Sequence, residues 1–485
     1  MLFFTTSPRS PGKMLPEIKL LIEHFSNQLW NKNTQEKFAI RLKKSEFFEG
    51  STSKSDAAFS ARDRINRAPK ALGFVALSPQ IKITSAGSEF IASKYPHEIF
   101  LRQLLKFQLP SPYHPEPSHL KGKFCIKPYL ELLRLIRDLK YLTFDEIKIF
   151  IFQLTDYRKY EIVKDKIIKF RIDKGDYQGK YKELVKINWD REIENIFTEN
   201  ISAEDYKTRE SNVSNLKKFM KTKRGTMRDY TDAVYRYLRY TGLISISGKG
   251  IERGKISLYE NKLNEVNYIL QTIDRNPVYC NDIQNYQNYL FSNSNPVLFT
   301  DNKDNLIDLI LKTTDNYTKT TLIVKSISDL KELREDIIAS KREAILSGEI
   351  ARLKDKSYDL YMEITDTYNE IIADELFDAP LMMEWNTWRA MTMIDGGKIK
   401  GNFNIDNVGF PLSTAQGNMP DIECDYGDFI LSVEVTLQSG KRQYESEGEP
   451  VARHYGQLKK KMGKETFCLF IAPTINNAAL AHFLF

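Results

Sequence analysis

The stretch from Gly417 to Leu437 constrains this chain more than any other. Gly417-Asn418-Met419-Pro420-Asp421-Ile422-Glu423-Cys424 leads into Asp425-Tyr426-Gly427-Asp428, then into Phe429-Ile430-Leu431-Ser432-Val433-Glu434-Val435-Thr436-Leu437. The flanking runs are apolar and β-branched, and the middle carries turn chemistry. The pattern predicts a strand over 421–424, a turn over 425–428 and a returning strand over 429–437. Side chains alternate along a strand, so Glu434 is expected on the opposite side from Val433 and Val435, in a cleft beside Asp421. Two carboxylates at adjacent strand ends can hold a hard divalent cation against a phosphate oxygen. Alone, the same letters also describe an ordinary hairpin with a surface glutamate.

Neighbouring residues add weight to the metal reading. The interval from Asp421 to Glu434 recurs from Glu434 to Glu447, and His454 follows in Val451-Ala452-Arg453-His454-Tyr455. Upstream, Glu384 falls on an expected helix over 381–393, from which a third carboxylate could complete a metal shell. The segment Glu445-Ser446-Glu447-Gly448-Glu449-Pro450 reads as an acidic loop, with Glu445 and Glu449 solvated.

Charge is distributed unevenly. The chain carries a formal net charge of +7 over 485 residues. Residues 1–130 hold 20 Lys+Arg against 10 Asp+Glu, and residues 209–259 hold 12 against 4. Residues 381–485 hold 10 against 12. Two basic blocks, an electrostatic footprint for phosphate, thus precede an acidic segment that suits a cation.

Each basic block reads as helix, basic helix, then a two-strand wing. In the first, helices are expected over 15–29 and 35–48, with a Gly-Ser-Thr-Ser turn after the second. A helix over 60–74 carries Arg62, Arg64, Asn66, Arg67 and Lys70, and strands over 75–77 and 80–84 bring Lys82. In the second, a helix over 213–220 ends in Lys221-Thr222-Lys223-Arg224-Gly225. A further helix over 227–240 bears Arg228, Arg236 and Arg239, and a wing follows over 243–259. This is the order of a winged helix-turn-helix, which lays a recognition helix in the major groove. These cations and Asn66 are the candidate DNA contacts. About half of such Arg and Tyr positions are expected to pack or snorkel rather than touch DNA.

Between the blocks, a helix over 98–109 stops at Pro110-Ser111-Pro112, and helices are expected over 126–139 and 144–154. His114 and His119 fall in the intervening loop and read as surface or phosphate contacts. Residues 160–210 show no motif. Residues 261–320, rich in Asn and Asp, read as a transition between domains, and 327–377 as a charged helical stretch opening the last domain.

Composition excludes several classes. No apolar run is long enough to span a bilayer, and Met1-Leu2-Phe3-Phe4 is too short for a signal-peptide core. The 4 cysteines form no CxxC pair and the 6 histidines do not cluster, which argues against a zinc site or a disulfide framework and suits a cytoplasmic protein. No GxxxxGK[ST] loop is present, so a helicase reading lacks support, and a methyltransferase reading likewise lacks its short signatures.

Met419-Pro420-Asp421-Ile422-Glu423-Cys424, Val433-Glu434-Val435-Thr436-Leu437, and Glu447 with Glu449-Pro450-Val451-Ala452-Arg453-His454 together resemble the catalytic core of the AlwI-type family. These are type IIS restriction endonucleases with nicking relatives. The resemblance covers most of the chain. It implies a multidomain α+β fold: an N-terminal helical region with winged helix-turn-helix modules, and a C-terminal PD-(D/E)xK-like α/β nuclease domain. The expected boundaries are a first recognition module over 1–125, a helical connector over 126–205, a second winged-helix-like module over 206–275, a transition over 276–325 and a cleavage domain over 326–485.

The family pattern implies Mg2+-dependent hydrolysis of double-stranded DNA a few base pairs outside a short asymmetric site. Asp421 and Glu434 become the principal metal ligands, Glu384 and Glu447 supporting acids, and His454 a phosphate or supporting contact. A cognate DNA methyltransferase is the implied functional partner. Double-strand cleavage would need a transient dimer or a second subunit. Two departures stand out. Thr436 occupies the position of the motif lysine, leaving its task to Glu447, Lys441 or Arg442. The chain also ends at Ala481-His482-Phe483-Leu484-Phe485, inside an apolar run where relatives continue, so a C-terminally truncated core is expected. The competing reading is a sequence-specific DNA-binding protein whose nuclease domain is inactive.

Overall fold

Short polar residues start several of the helices. Thr143 accepts from the Glu146 amide while Glu146 reaches back to the Thr143 amide, a reciprocal cap. Ser326 and Asp329 repeat it, and Asn215 and Ser357 cap two other helices. The result is a mostly helical α+β protein with small sheets. The computed structural model describes residues 1–45, 47, 57–116, 122–208, 213–414 and 419–484. The expected Gly-Ser-Thr-Ser turn, His119, Gly417, Asn418 and Phe485 lie outside these residues. The chain divides into two compact units. The first comprises 1–42, 52–246 and 255–308, and the second 43–51, 247–254 and 309–485.

The first unit begins with helices α1 (Met14–Phe25), α2 (Lys32–Lys43), α3 (Ala57–Ile65) and α4 (Ala68–Ala71). Strands β1 (Val75–Ala76) and β2 (Lys82–Ile83) then form an antiparallel hairpin with Val75 opposite Ile83. Next come α5 (Ser85–Ala92), α6 (His97–Lys106), α7 (Pro128–Leu139), α8 (Phe144–Phe150), α9 (Tyr160–Asp176), α10 (Tyr181–Ile196), α11 (Thr198–Ser202) and α12 (Leu216–Tyr240). A second pair, β3 (Ile244–Ser247) and β4 (Lys255–Leu258), is followed by α13 (Leu263–Thr272), α14 (Ile283–Phe291) and α15 (Lys303–Thr313), in which the unit boundary falls.

Two expectations change here. The helix expected over 60–74 breaks after Ile65 and resumes at Ala68 with Pro69 in its first turn. The two helices expected over 213–240 are one continuous α12. A lone glycine at 225 costs a helix only about 1 kcal/mol, and Phe219, Met220, Met227, Val234 and Leu238 bury a continuous face across it. The transition expected over 276–325 contains the boundary between the units, and its first part packs against α6. The Arg102 guanidinium on α6 binds Asp301 at 2.9 and 3.0 Å and the Pro296 carbonyl at 2.6 Å. Gln103 donates to the Leu290 carbonyl at 2.7 Å, and Lys106 to that of Ser292 at 2.6 Å.

The second unit continues with α16 (Lys319–Ile323), α17 (Ile327–Lys354), α18 (Tyr358–Ile372) and α19 (Ala379–Ile394). The strands are β5 (Lys398–Gly401), β6 (Asn404–Ile405), β7 (Pro411–Ser413), β8 (Ile422–Asp425), β9 (Phe429–Val435) and, after α20 (Lys441–Met462), β10 (Glu465–Ile471); α21 (Asn477–Leu484) follows. One sheet has the order β10-β9-β8-β5, with β10 parallel to β9 and the other pairs antiparallel. Leu353, Ile364, Trp388 and Met391 from the three long helices bury against Ile422, Cys424 and Val433 of the sheet.

The acidic loop expected over 445–450 is instead the interior of α20. Proline normally breaks a helix by removing one hydrogen bond and crowding the preceding turn. Here Val451, His454 and Leu458, at helical spacing, are buried, and that burial carries the helix through Pro450. His114 also differs from expectation. It packs against the Phe3 and Phe107 rings at 5.1 and 5.6 Å, and burial, then Lys70, pushes its pKa down to about 4. It is a neutral packing residue rather than a surface phosphate contact.

Candidate active site

The β8–β9 hairpin forms where the alternating sequence places it. Ile422 sits opposite Val433, so Asp421 and Glu434 are the next facing positions at the end of the ladder. The Val435 amide donates to Asp421 Oδ2 at 2.7 Å. Asn402, just past β5, donates its amide to the Asp421 carbonyl at 2.9 Å and its side chain to the Pro420 carbonyl at 2.8 Å. Main chain and side chain of Asp421 are therefore held from both neighbouring strands.

Helix α20 supplies the remaining groups. His454 Nδ1 lies 3.2 Å from both Glu434 oxygens. An ionised carboxylate only accepts, so opposite that form Nδ1 carries the proton. Thr436 Oγ1 accepts from the Gln438 amide at 3.0 Å and donates to Glu447 Oε1 at 2.9 Å. Gln443, near the start of α20, donates to the Gln438 and Thr474 carbonyls at 3.0 and 2.9 Å, which ties the helix to the loops after β9 and β10.

Both strand carboxyls bind protons far more tightly than ordinary acids. For Asp421 burial is the main cause and the Glu434 charge the next, opposed by the Val435 amide and His454. For Glu434 burial again leads, followed by Glu447. Crowded, desolvated negative charge of this kind is relieved by a proton or a cation. Among the described residues no three His, Cys, Asp or Glu side chains form a metal cluster. Mg2+ is commonly bound by one or two carboxylates, with waters and phosphate oxygens completing the shell, so the Asp421–Glu434 donor set fits it.

The other expected site residues sit on the helices around the sheet. Glu384 is buried on α19. Lys441 and Arg442 are exposed in the first turn of α20, Lys441 beside Glu445. Sequence reasoning missed Asn402 and Gln443. Only the Gly401-Asn402 step after a short strand marked the first, and nothing local marked the second.

The expected DNA contacts fall into two sets. Several are tied inside the protein. Arg64 pairs with buried Glu17, Arg62 donates to Gln35 at 3.2 Å, and Arg67 binds Asp63 at 2.6 Å. Asn66 accepts from the Trp30 indole at 2.7 Å, and Lys70 lies 4.6 Å from the centre of the Tyr113 ring. Lys223 sits over Phe197 and Phe219, Arg224 pairs with Asp190, and Arg236 with Asp232 at 3.1 Å. Arg239 is half-buried near the end of α12. Lys82, Lys221 and Arg228 are exposed.

The fold and the site together define a mostly helical α+β protein with a buried acidic centre at the ends of adjacent strands. The family model described as AlwI restriction endonuclease matches residues 70–485. The chain belongs to that family.

Among solved structures, the small subunit (R.BspD6I2) of the heterodimeric restriction endonuclease R.BspD6I is similar at 31% identity. That match covers 25% of this chain and 64% of the subunit, with a TM-score of 0.24. The chain thus spans less than two thirds of that relative's length. The BpuJ1 endonuclease binding domain, solved with pyrene- and phenanthrene-modified DNA, is similar at 15% identity over 60% of this chain and 97% of the domain, with a TM-score of 0.39. No curated protein matches. Among the described residues, no helix is long and apolar enough to cross a membrane.

Proposed function

We propose that this chain is a type IIS restriction endonuclease, or a nicking relative, that binds a short asymmetric site in double-stranded DNA and hydrolyses a phosphodiester bond a few base pairs away with Mg2+. The observation that carries this reading is the pairing of Asp421 with Glu434 at adjoining strand ends, backed by His454 and Glu447 from one helix. In this reading residues 326–485 form a PD-(D/E)xK-like cleavage domain. Residues 1–125 form a winged-helix recognition module and 206–275 a winged-helix-like one, joined by the connector over 126–205 and the transition over 276–325. Glu384 is a supporting acid.

Asp421 and Glu434 are the residues that would hold the ion. When bound, Mg2+ lowers the pKa of water and neutralises charge building on the phosphate. His454 keeps Glu434 in one rotamer by donating from Nδ1. Thr436 and Ser446 engage Glu447 at Oε1, which leaves Oε2 to accept a hydrogen bond from water. Glu447 thereby takes the water-orienting task that the motif lysine would perform from position 436.

The test is Mg2+-dependent cleavage of plasmid DNA, with Asp421→Ala and Glu434→Ala expected to abolish cutting and leave binding intact. Tight site-specific binding by the wild-type chain with no cut under any divalent metal would instead establish a DNA-binding protein with an inactive nuclease unit. Sequencing the product ends gives the recognition site and the number of strands cut.

A further inference from the structure

Four cations of α12 fall in one register. Lys217, Lys221, Arg224 and Arg228 follow one another at spacings of four, three and four residues. At about 100° per residue these positions lie within a narrow arc of the helix surface. The stripe runs about 16 Å along the axis at 1.5 Å per residue. The opposite face is anchored, since Phe219, Ala233 and Tyr237 are buried in the first unit, and beyond Arg228 the arc itself ends at buried Tyr235. The basic arc therefore faces solvent by construction rather than by lack of packing.

Two features separate this stripe from an ordinary solvated face. The first turn of α12 contains Lys217 and Lys218 and no acid, which is unfavourable for an isolated helix because its N-terminal end is already positive. Both the dipole and the lysines favour an anion there. Within the arc Arg224 is held by the Asp190 carboxylate, and among the described residues Lys217, Lys221 and Arg228 remain exposed. The arginines of α3 show the contrast: they are spent on Glu17 and Gln35.

We propose that this face of α12 is the track on which the protein holds the sugar–phosphate backbone of duplex DNA, contributing affinity without reading sequence. The inference rests on the DNA-cutting assignment above and adds the surface that meets the backbone. Duplex DNA carries about one charge per 1.7 Å of axis, so a rod about 16 Å long faces ample phosphate for three free cations. Flexible lysines at a water-exposed helix surface suit phosphate contacts, which position a protein but do not specify bases.

The experiment measures the salt dependence of binding of the full-length chain to duplexes with and without its site, in EDTA so that no strand is cut. Each phosphate contact contributes about 0.9 to the slope of log K against log salt. The triple variant Lys217→Gln, Lys221→Gln, Arg228→Gln is expected to lower that slope by about 2.7, weaken both duplexes alike and leave their ratio unchanged. The single variants are expected to lower it by about 0.9 each, which keeps the test open if the triple variant unfolds. An unchanged slope, or a loss confined to the specific duplex, overturns the track. Failure of the wild-type chain to bind either duplex overturns the DNA-cutting assignment itself, and the track with it.

Discussion

Replacing Thr436 by valine removes one hydroxyl from the site and little else. Valine has nearly the same shape, and Thr436 is buried just past the end of β9, so the methyl group the two share keeps its packing. What disappears is the link in which the Gln438 amide orients Thr436 Oγ1 and the hydroxyl proton goes to Glu447 Oε1 at 2.9 Å. Hydrogen bonds to charged groups contribute about 1.5–3 kcal/mol. If Glu447 orients the attacking water, most of that is felt in the transition state. At about 1.4 kcal/mol per tenfold, the cleavage rate under saturating DNA falls about 10- to 100-fold. Binding should hardly move, because Thr436 is not a DNA contact in this scheme. The assay is single-turnover cleavage of a supercoiled plasmid, with DNA affinity measured separately. Thr436→Ser keeps the donor and is expected to recover most of the rate. Full activity in the valine variant, or equal losses in valine and serine, would show that Glu447 does not depend on this hydroxyl.

Four further outcomes are expected. His454→Ala leaves Glu434 without the Nδ1 donor and should raise the Mg2+ concentration needed for cleavage about 10- to 100-fold while sparing DNA affinity, as read from a metal titration. Arg389→Met removes a buried guanidinium that binds Glu349 at 3.1 Å and Glu363 at 2.5 Å. Breaking a buried pair costs about 3–5 kcal/mol, but Arg352 still faces both acids, so about 2–3 kcal/mol is expected in urea unfolding followed by tryptophan fluorescence. Arg352→Ala, at a half-exposed position, should cost under about 1 kcal/mol; equal costs for the two arginines would contradict the burial argument. His114 titrates near 4 in the fold and near 6.5 when unfolded, so the unfolded chain takes up its proton first as pH drops. Its contribution is present above about 6.5 and lost as pH falls towards 4, and His114→Phe should flatten the melting temperature across that window.

The β8–β9 hairpin was legible because its information is local: alternation, a turn and two carboxylates within one short stretch. The α20 segment was misread for an equally physical reason. Gly448, Pro450 and three glutamates describe a loop by composition, and only burial of Val451, His454 and Leu458 makes them a helix. The arginines failed in another way. Nothing near Arg64 announces Glu17, which lies 47 residues away, or near Arg224 announces Asp190, 34 residues away. Basic letters on a helix show that charge is present, whereas the partner that consumes it is set by the tertiary fold.

The same distinction explains why the acidic centre holds its shape. Asp421 and Glu434 repel each other in a desolvated cleft, and such a pair tends to drive its strands apart. Each is restrained from outside the pair: Asp421 by the Val435 amide and the Asn402 clamp on its main chain, Glu434 by His454. Glu447 is held from the opposite direction, by a hydroxyl on the same strand end. The ties come from β5, β9 and α20, so the carboxylates are positioned before any cation arrives. That ordering is useful to a hydrolase. In the proposed reading a divalent ion would take the place of the protons that Asp421 and Glu434 hold so tightly, and carboxylates already in position would favour its capture beside the strand ends over capture at the scattered surface acids.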